Sequence, residues 1–179
     1  MKCYGQWECT ITIADKKIYA RQIVLPMTPS ENERLSPMFA RGKSISRLRN
    51  STKYNRFLNV CQTFLRKGRL PIMEGDLAVF VTEVFPDNRK RDVDNRIKAL
   101  FDIFTKSEHL ITDDSQIVTL KVDKFVIQNY NFIIAFVVKS DDLPTKYFSL
   151  DKSFLQDLGR KIQDEHNSTT NSLGDMGTF

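Results

Sequence analysis

Between Leu77 and Val138 the hydrophobic period of the chain changes three times, and this order restricts the possible folds more than any other feature. Leu77 to Phe85 is apolar apart from Thr82 and Glu83, the mark of a strand covered on both faces. Ile97, Leu100, Phe101 and Phe104 then recur at i, i+3, i+4 and i+7, the stripe of a helix lying on a core. Val118, Leu120 and Val122 alternate with Thr119, Lys121 and Asp123, which predicts a half-exposed strand. Phe132 to Val138 is continuously apolar again and predicts a second buried strand. A sheet with a helix on at least one face follows.

The flanking segments extend this frame. Trp7, Cys9, Ile11 and Ile13 alternate with polar residues, as do Tyr19 and Ile23 to Leu25, predicting a hairpin that turns near Asp15-Lys16. The segment PMTPSENERLSPMFARGKSISRLRNS holds three prolines and many polar residues, and is expected to be a long loop. Tyr54, Phe57, Leu58, Cys61, Phe64 and Leu65 predict a helix ended by Gly68 and Pro71. Phe154, Leu155, Leu158 and Ile162 predict another, and Glu165 to Phe179 has little to bury. The expected fold is α+β: a single domain with a mixed, mostly antiparallel sheet flanked by helices. Residues 1–140 would form the domain, and 141–179 a C-terminal extension, helical at first and then without packed structure.

Composition excludes several classes. A hydrophobic share of 41% supports an ordinary core. No apolar run approaches the roughly 20 residues that span a bilayer, and MKCYGQWECTITIADKK lacks the pattern of a secretory signal. Cys3, Cys9 and Cys61 fit neither a disulfide framework nor a zinc site, so a reducing cytoplasm is the expected compartment. The net charge of +5 is unevenly spread: Arg34 to Met73 contains no Asp or Glu, whereas acidic residues predominate beyond Ser140. A long acid-free segment suits a polyanion, because each neutralised phosphate releases condensed counterions. Candidate DNA contacts are Arg41, Lys43, Arg47 and Arg49, with Arg89, Lys90 and Arg91 further on.

The stretch RKRDVDNRIKAL sets two aspartates, Asp92 and Asp94, between a cationic run and the start of the helix. One aspartate there is an ordinary helix cap. Two carboxylates at i and i+2 can also converge on a hard divalent cation through oxygen. Asp113 and Asp114 form a second acidic pair just before the next strand, and adjacent strand ends are expected to bring the two pairs together. Lys98, one turn beyond Asp94, is either its ion-pair partner (or that of Asp102) or a contact to a phosphate beside the metal. The cysteines and the lone His109 and His166 do not support zinc chemistry, and no G-x-S-x-G or phosphate-binding glycine loop occurs. Oxygen-bound magnesium or manganese amid cations is what remains, the chemistry of phosphodiester hydrolysis.

RDVDNRIKALFDIF followed by LITDDSQI resembles the signature of the RusA family of Holliday junction resolvases found in phages and prophages, approximately R-D-x-D-N-x-x-K-x-x-x-D-x-L, a linker, then D-D-x-Q-[IV]. LPMTPSEN is similar to the family's N-terminal element through Pro26, Pro29, Ser30 and Asn32, and the resemblance runs from about Ile23 to Val138. The linker Ser107 to Thr112 departs from the family in lacking a glycine and an aromatic residue. The resemblance implies a RusA-like fold, with Asp92, Asp94 and Asp114 as metal-binding catalytic carboxylates and Lys98 as the essential lysine. Asp114 is assigned over Asp113 from its place in D-D-S-Q; Asn95, Asp102, Asp113 and Gln116 match further signature positions, and Asn32 is carried over as a DNA contact. It also implies a homodimer that binds branched DNA at four-way junctions and nicks two opposed strands. Such an enzyme uses Mg²⁺ or Mn²⁺ and no small-molecule cofactor, and leaves ligatable 5′-phosphate and 3′-hydroxyl ends. A flap or fork nuclease, or a non-catalytic junction-binding protein, is the alternative.

Overall fold

The computed structural model describes residues 4–40, 43–68, 70–106, 110–144 and 152–174, with the backbone alone for residues 31, 32, 36–40, 43–49, 152, 166 and 168–174. Strands β1 (Gly5–Ile13) and β2 (Lys16–Pro26) form the expected hairpin. Its two-residue connection, Ala14-Asp15, has φ of 46° and 63°. Two positive φ values in a row match the right-handed twist of the flanking strands.

The segment expected to be a long loop is largely ordered. It forms the short helix α1 (Glu31–Arg34) and an antiparallel hairpin of β3 (Leu35–Ala40) and β4 (Lys43–Asn50), a two-stranded sheet of its own. Pro37 lies at the register shift of this hairpin, where a residue without an N–H is tolerated. Helix α2 (Thr52–Lys67) follows, capped by the Ser51 side chain, which accepts from the Tyr54 N–H.

The main sheet has the order β1-β2-β7-β5-β6, with β5 (Leu77–Phe85), β6 (Ile117–Val126) and β7 (Phe132–Lys139). Every pairing is antiparallel except β5 with β6. The parallel pair requires a crossover, supplied by α3 (Ile97–Lys106). β5 and β7 are interior strands and are buried almost throughout, whereas β6 is an edge strand, which explains its alternation. The mixed, mostly antiparallel α+β architecture is the one expected.

Two cores lie on opposite faces of the sheet. One packs Tyr54, Leu58 and Leu65 of α2 and Leu100, Ile103 and Phe104 of α3 against Val79, Val81 and Ala135. The other packs Leu155 and Ile162 of α4 (Lys152–Gly174) against Phe80, Phe136 and Val138. The extension therefore covers the domain's own sheet. Gly159 lies directly on the Tyr130 ring: a Cβ there would meet ring carbons at 2.6 Å, so the helix approaches this closely only without a side chain. α4 continues to Gly174, beyond the point where packed structure was expected to end, because an anchored helix lengthens at little cost per residue. Among the described residues no helix is long and apolar enough to cross a membrane.

Candidate active site

Successive side chains of a strand alternate between faces, so Glu83 and Phe85 share with Val81 the face covered by α2 and α3. Beyond Phe85 the chain folds back beside β6. Arg91 turns inward, its guanidinium 4.5 Å from the Phe85 ring centroid and 2.7 Å from Asp87 Oδ1. The same group donates to the carbonyls of Asp87 and Arg89, each at 3.2 Å. The Arg91 hydrogen bond, followed by the Arg89 N–H, holds the Asp87 carboxyl down at about 2. Lys124 of β6 donates to the Arg91 carbonyl at 2.8 Å. Arg96 approaches Phe85 as well, at 5.4 Å, and exchanges hydrogen bonds with Thr28: its Nε donates to the Thr28 carbonyl at 3.0 Å, and Thr28 Oγ1 to its carbonyl at 3.4 Å. The N-terminal element and the D-x-D-N turn are thereby joined.

These contacts open a cleft of about 640 Å³ lined by Arg91, Asp92, Val93, Asp94, Ile97, Leu120, Val122 and Lys124. Asp92 and Asp94 are exposed in it, and among the described residues neither carboxylate has a hydrogen-bond or ion-pair partner. Neither acts as a side-chain cap; the Asp94 carbonyl accepts from the Ile97 N–H instead. Lys98 is exposed on the first turn of α3 and is not in an ion pair among the described residues. The ion-pair role considered for it falls elsewhere: Asp102 is 3.6 Å from Lys106 and accepts from Arg34 at 2.9 Å and from the Tyr54 hydroxyl at 2.6 Å.

Asp102 thus ties α1 and α2 to α3 and is a structural member of the signature. Tyr54 is fully buried and Arg34 partly so, and both would lose a charged acceptor in Asp102→Ala. That substitution should cost about 2 to 3 kcal/mol in urea unfolding, and Asp102→Asn less.

The second acidic pair divides its labour. Asp113 Oδ1 accepts from the Ser115 N–H at 2.9 Å. Hydrogen bonds from the Ser115 side chain and N–H hold the Asp113 carboxyl below its usual range. Gln116 fixes the turn from both ends: its Oε1 accepts from the N–H groups of Thr112 and Asp113, and its Nε2 donates to the carbonyls of Met73 and Gly75. Asp114 begins the 3₁₀ turn Asp114–Gln116 with an exposed side chain that has no partner among the described residues. It is the uncommitted carboxylate of the pair.

The expectation that strand ends would bring the two acidic pairs together is corrected by the register. Because β5 and β6 are parallel, Leu77 pairs with Ile117 and Phe85 with Val126, so β5 ends where β6 ends rather than where it begins. Asp92 and Asp94 lie beside Leu120 to Lys124, and Asp114 precedes the start of the strand. Among the described residues no group of three or more His, Cys, Asp or Glu side chains is placed to hold one metal ion.

Of the other expected contacts, Arg89 is largely exposed, 3.4 Å from Asp87, and Lys90 is exposed. Arg91 is mostly enclosed. Arg41 lies outside the described residues; Asn32 stands on α1 and Lys43, Arg47 and Arg49 on β4, and their side chains lie outside what is described. Glu83, Arg96 and Lys124 were not anticipated. The signal for Glu83 was its place in an otherwise apolar strand.

Compared with known protein families, residues 26–135 match Endodeoxyribonuclease RusA. No curated protein matches the chain. The matched segment covers more than half of the chain and contains both acidic elements, the β3–β4 hairpin and the α3 crossover, so the chain belongs to the RusA family of endodeoxyribonucleases, which resolve Holliday junctions.

Proposed function

We propose that the chain is a Mg²⁺-dependent resolvase that acts as a homodimer, cutting four-way DNA junctions by paired symmetric nicks, with Mn²⁺ able to replace Mg²⁺. The observation that carries this reading is the cleft in which two uncommitted carboxylates, Asp92 and Asp94, open beside Arg91 and Lys124. This donor set fits magnesium, which binds through one or two carboxylates while keeping several waters and taking substrate phosphate oxygens. A magnesium ion held there supplies an activated water and polarises the phosphoryl group. Lys98 stands four residues beyond Asp94, where its ammonium offsets charge developing on the phosphate. Arg89 and Lys90 hold flanking phosphates, and the basic β4 strand extends that contact.

Asp114 completes the site from a second copy in this reading. Two facts support it. Asp114 is uncommitted but set apart from Asp92 and Asp94 within one chain. The unpaired edge strand β6 exposes Val118, Leu120 and Val126, an apolar edge of the kind that proteins cover. A twofold partner along this edge reverses β6 and so exchanges the ends of the strand.

Subunit mixing tests the arrangement. Asp94→Asn and Asp114→Asn proteins are each expected to be inactive on a four-way junction. Heterodimers of the two should recover nicking of a single strand, since one of their two sites would be intact. Mixed subunits that dimerise and stay inert would place all three carboxylates on one chain. Active single variants would remove both aspartates from the chemistry.

A further inference from the structure

The sheet buries one carboxylate that neither the metal site nor the packing uses. Glu83 has no exposed surface, and neither of its carboxylate oxygens accepts a hydrogen bond among the described residues. An ionisable group in that condition is costly, and an apolar residue would serve the fold better. Three cations surround it. Lys124 is its register partner on β6, and Arg91 and Arg96 stack on Phe85, the next residue of β5 on the same face. None of the three bonds to Glu83: Arg91 donates to the carbonyls of Asp87 and Arg89 and is ion-paired with the Asp87 carboxylate, Arg96 donates to the Thr28 carbonyl, and Lys124 to the Arg91 carbonyl. Their fields nevertheless act on its carboxylate. Two of them, Arg91 and Lys124, line the cleft that holds Asp92 and Asp94.

We propose that Arg91, Arg96 and Lys124 form a preassembled subsite for the backbone phosphate next to the cleavage position, and that Glu83 is the buried countercharge that positions them. Three cations gathered without an anion repel one another, and long side chains relieve this by turning outward to water. Glu83 offsets the repulsion without taking a donor from any of them, because it bonds to none. Arg96 and Lys124 are tethered to backbone carbonyls, which have no net charge to compete with a phosphate, whereas Arg91 is already paired with the Asp87 carboxylate. Glu83 touches no reacting atom, so it is a positioning residue. Lys124 is the exposed member and the direct phosphate contact.

This subsite rests on the reading of the Asp92–Asp94 cleft as the place where DNA binds. The test measures equilibrium binding of a synthetic four-way junction over a range of salt at pH 8 with Ca²⁺ in place of Mg²⁺, and cleavage rates separately in Mg²⁺. Lys124→Ala should weaken binding roughly fivefold and lower the slope of log affinity against log salt by about 0.9, the value of one lost phosphate contact. Glu83→Gln should do the reverse in binding, with a steeper slope and tighter low-salt affinity from one more unbalanced cation. Its cleavage rate should nevertheless fall, because the cations are no longer held in place. A merely structural Glu83 would move the melting temperature and leave the slope alone, and Glu83→Leu checks that the result does not depend on the amide. Wild-type slopes in Lys124→Ala would overturn the phosphate contact, and unchanged slope and cleavage in both Glu83 variants would overturn the countercharge. A wild-type protein that binds no branched DNA would overturn the proposed function and this subsite with it.

Discussion

Asp94→Asn is expected to slow junction nicking by on the order of 1,000-fold or more while leaving unfolding and junction binding nearly unchanged. The basis is that Asp94 is exposed in the cleft and its carboxylate bonds to nothing else among the described residues. Replacing one oxygen by an amide nitrogen keeps its shape and removes the charge that a divalent cation needs. The backbone bond from the Ile97 N–H to the Asp94 carbonyl survives, so α3 still starts at the same place. Asp113→Asn gives the contrasting case. That carboxylate is spent on the Ser115 N–H, and its loss should loosen the turn without removing catalysis. A nuclease that tolerated Asp94→Asn but not Asp113→Asn would reverse the assignment of the two acidic pairs.

Glu83→Leu should stabilise the protein at alkaline pH, by at most about 3 kcal/mol. Burial pushes the Glu83 carboxyl up to about 7, against the opposing pull of Arg96, Lys124 and Arg91. A carboxyl whose folded pKa lies above its unfolded value holds its proton more tightly in the native state. The stability this confers is complete below the unfolded value of 4.5 and is lost as pH rises to about 7. Urea unfolding of wild type and Glu83→Leu at pH 5, 6, 7 and 8 isolates the contribution, since every other group is common to both. The gap should widen in favour of leucine up to about pH 7 and then level off. A gap independent of pH would mean that Glu83 keeps the same charge in both states.

The parts of this molecule set by local pattern were legible. Periodicity located β5, α3 and β7 because burial on two faces, or on one stripe, leaves a direct mark on residue order. Asp92, Asp94 and Lys98 stood out as candidates because the motif that carries them is spaced within about two helical turns. The β3–β4 hairpin was missed because Pro26, Pro29 and Pro37 imitate a loop and the hairpin pairs with itself instead of joining the main sheet. The separation of Asp114 from the D-x-D turn was not legible either. It depends on β5 and β6 being parallel, a tertiary choice that neither segment encodes alone. Asp102 and Gln116 belong to the same motif as the candidate catalytic residues, yet they hold helices and a turn together. Motif membership alone did not mark Asp102 and Gln116 as scaffolding; their hydrogen-bond partners did.

The most direct test of the account is cleavage of a synthetic four-way junction by the wild-type chain, with each of the four strands labelled in turn. Two nicks at symmetric positions on opposed strands are expected in Mg²⁺ or Mn²⁺, with ends that ligase can reseal and no cutting in EDTA. Binding without cleavage in both metals would contradict it, as would cuts confined to flaps and forks.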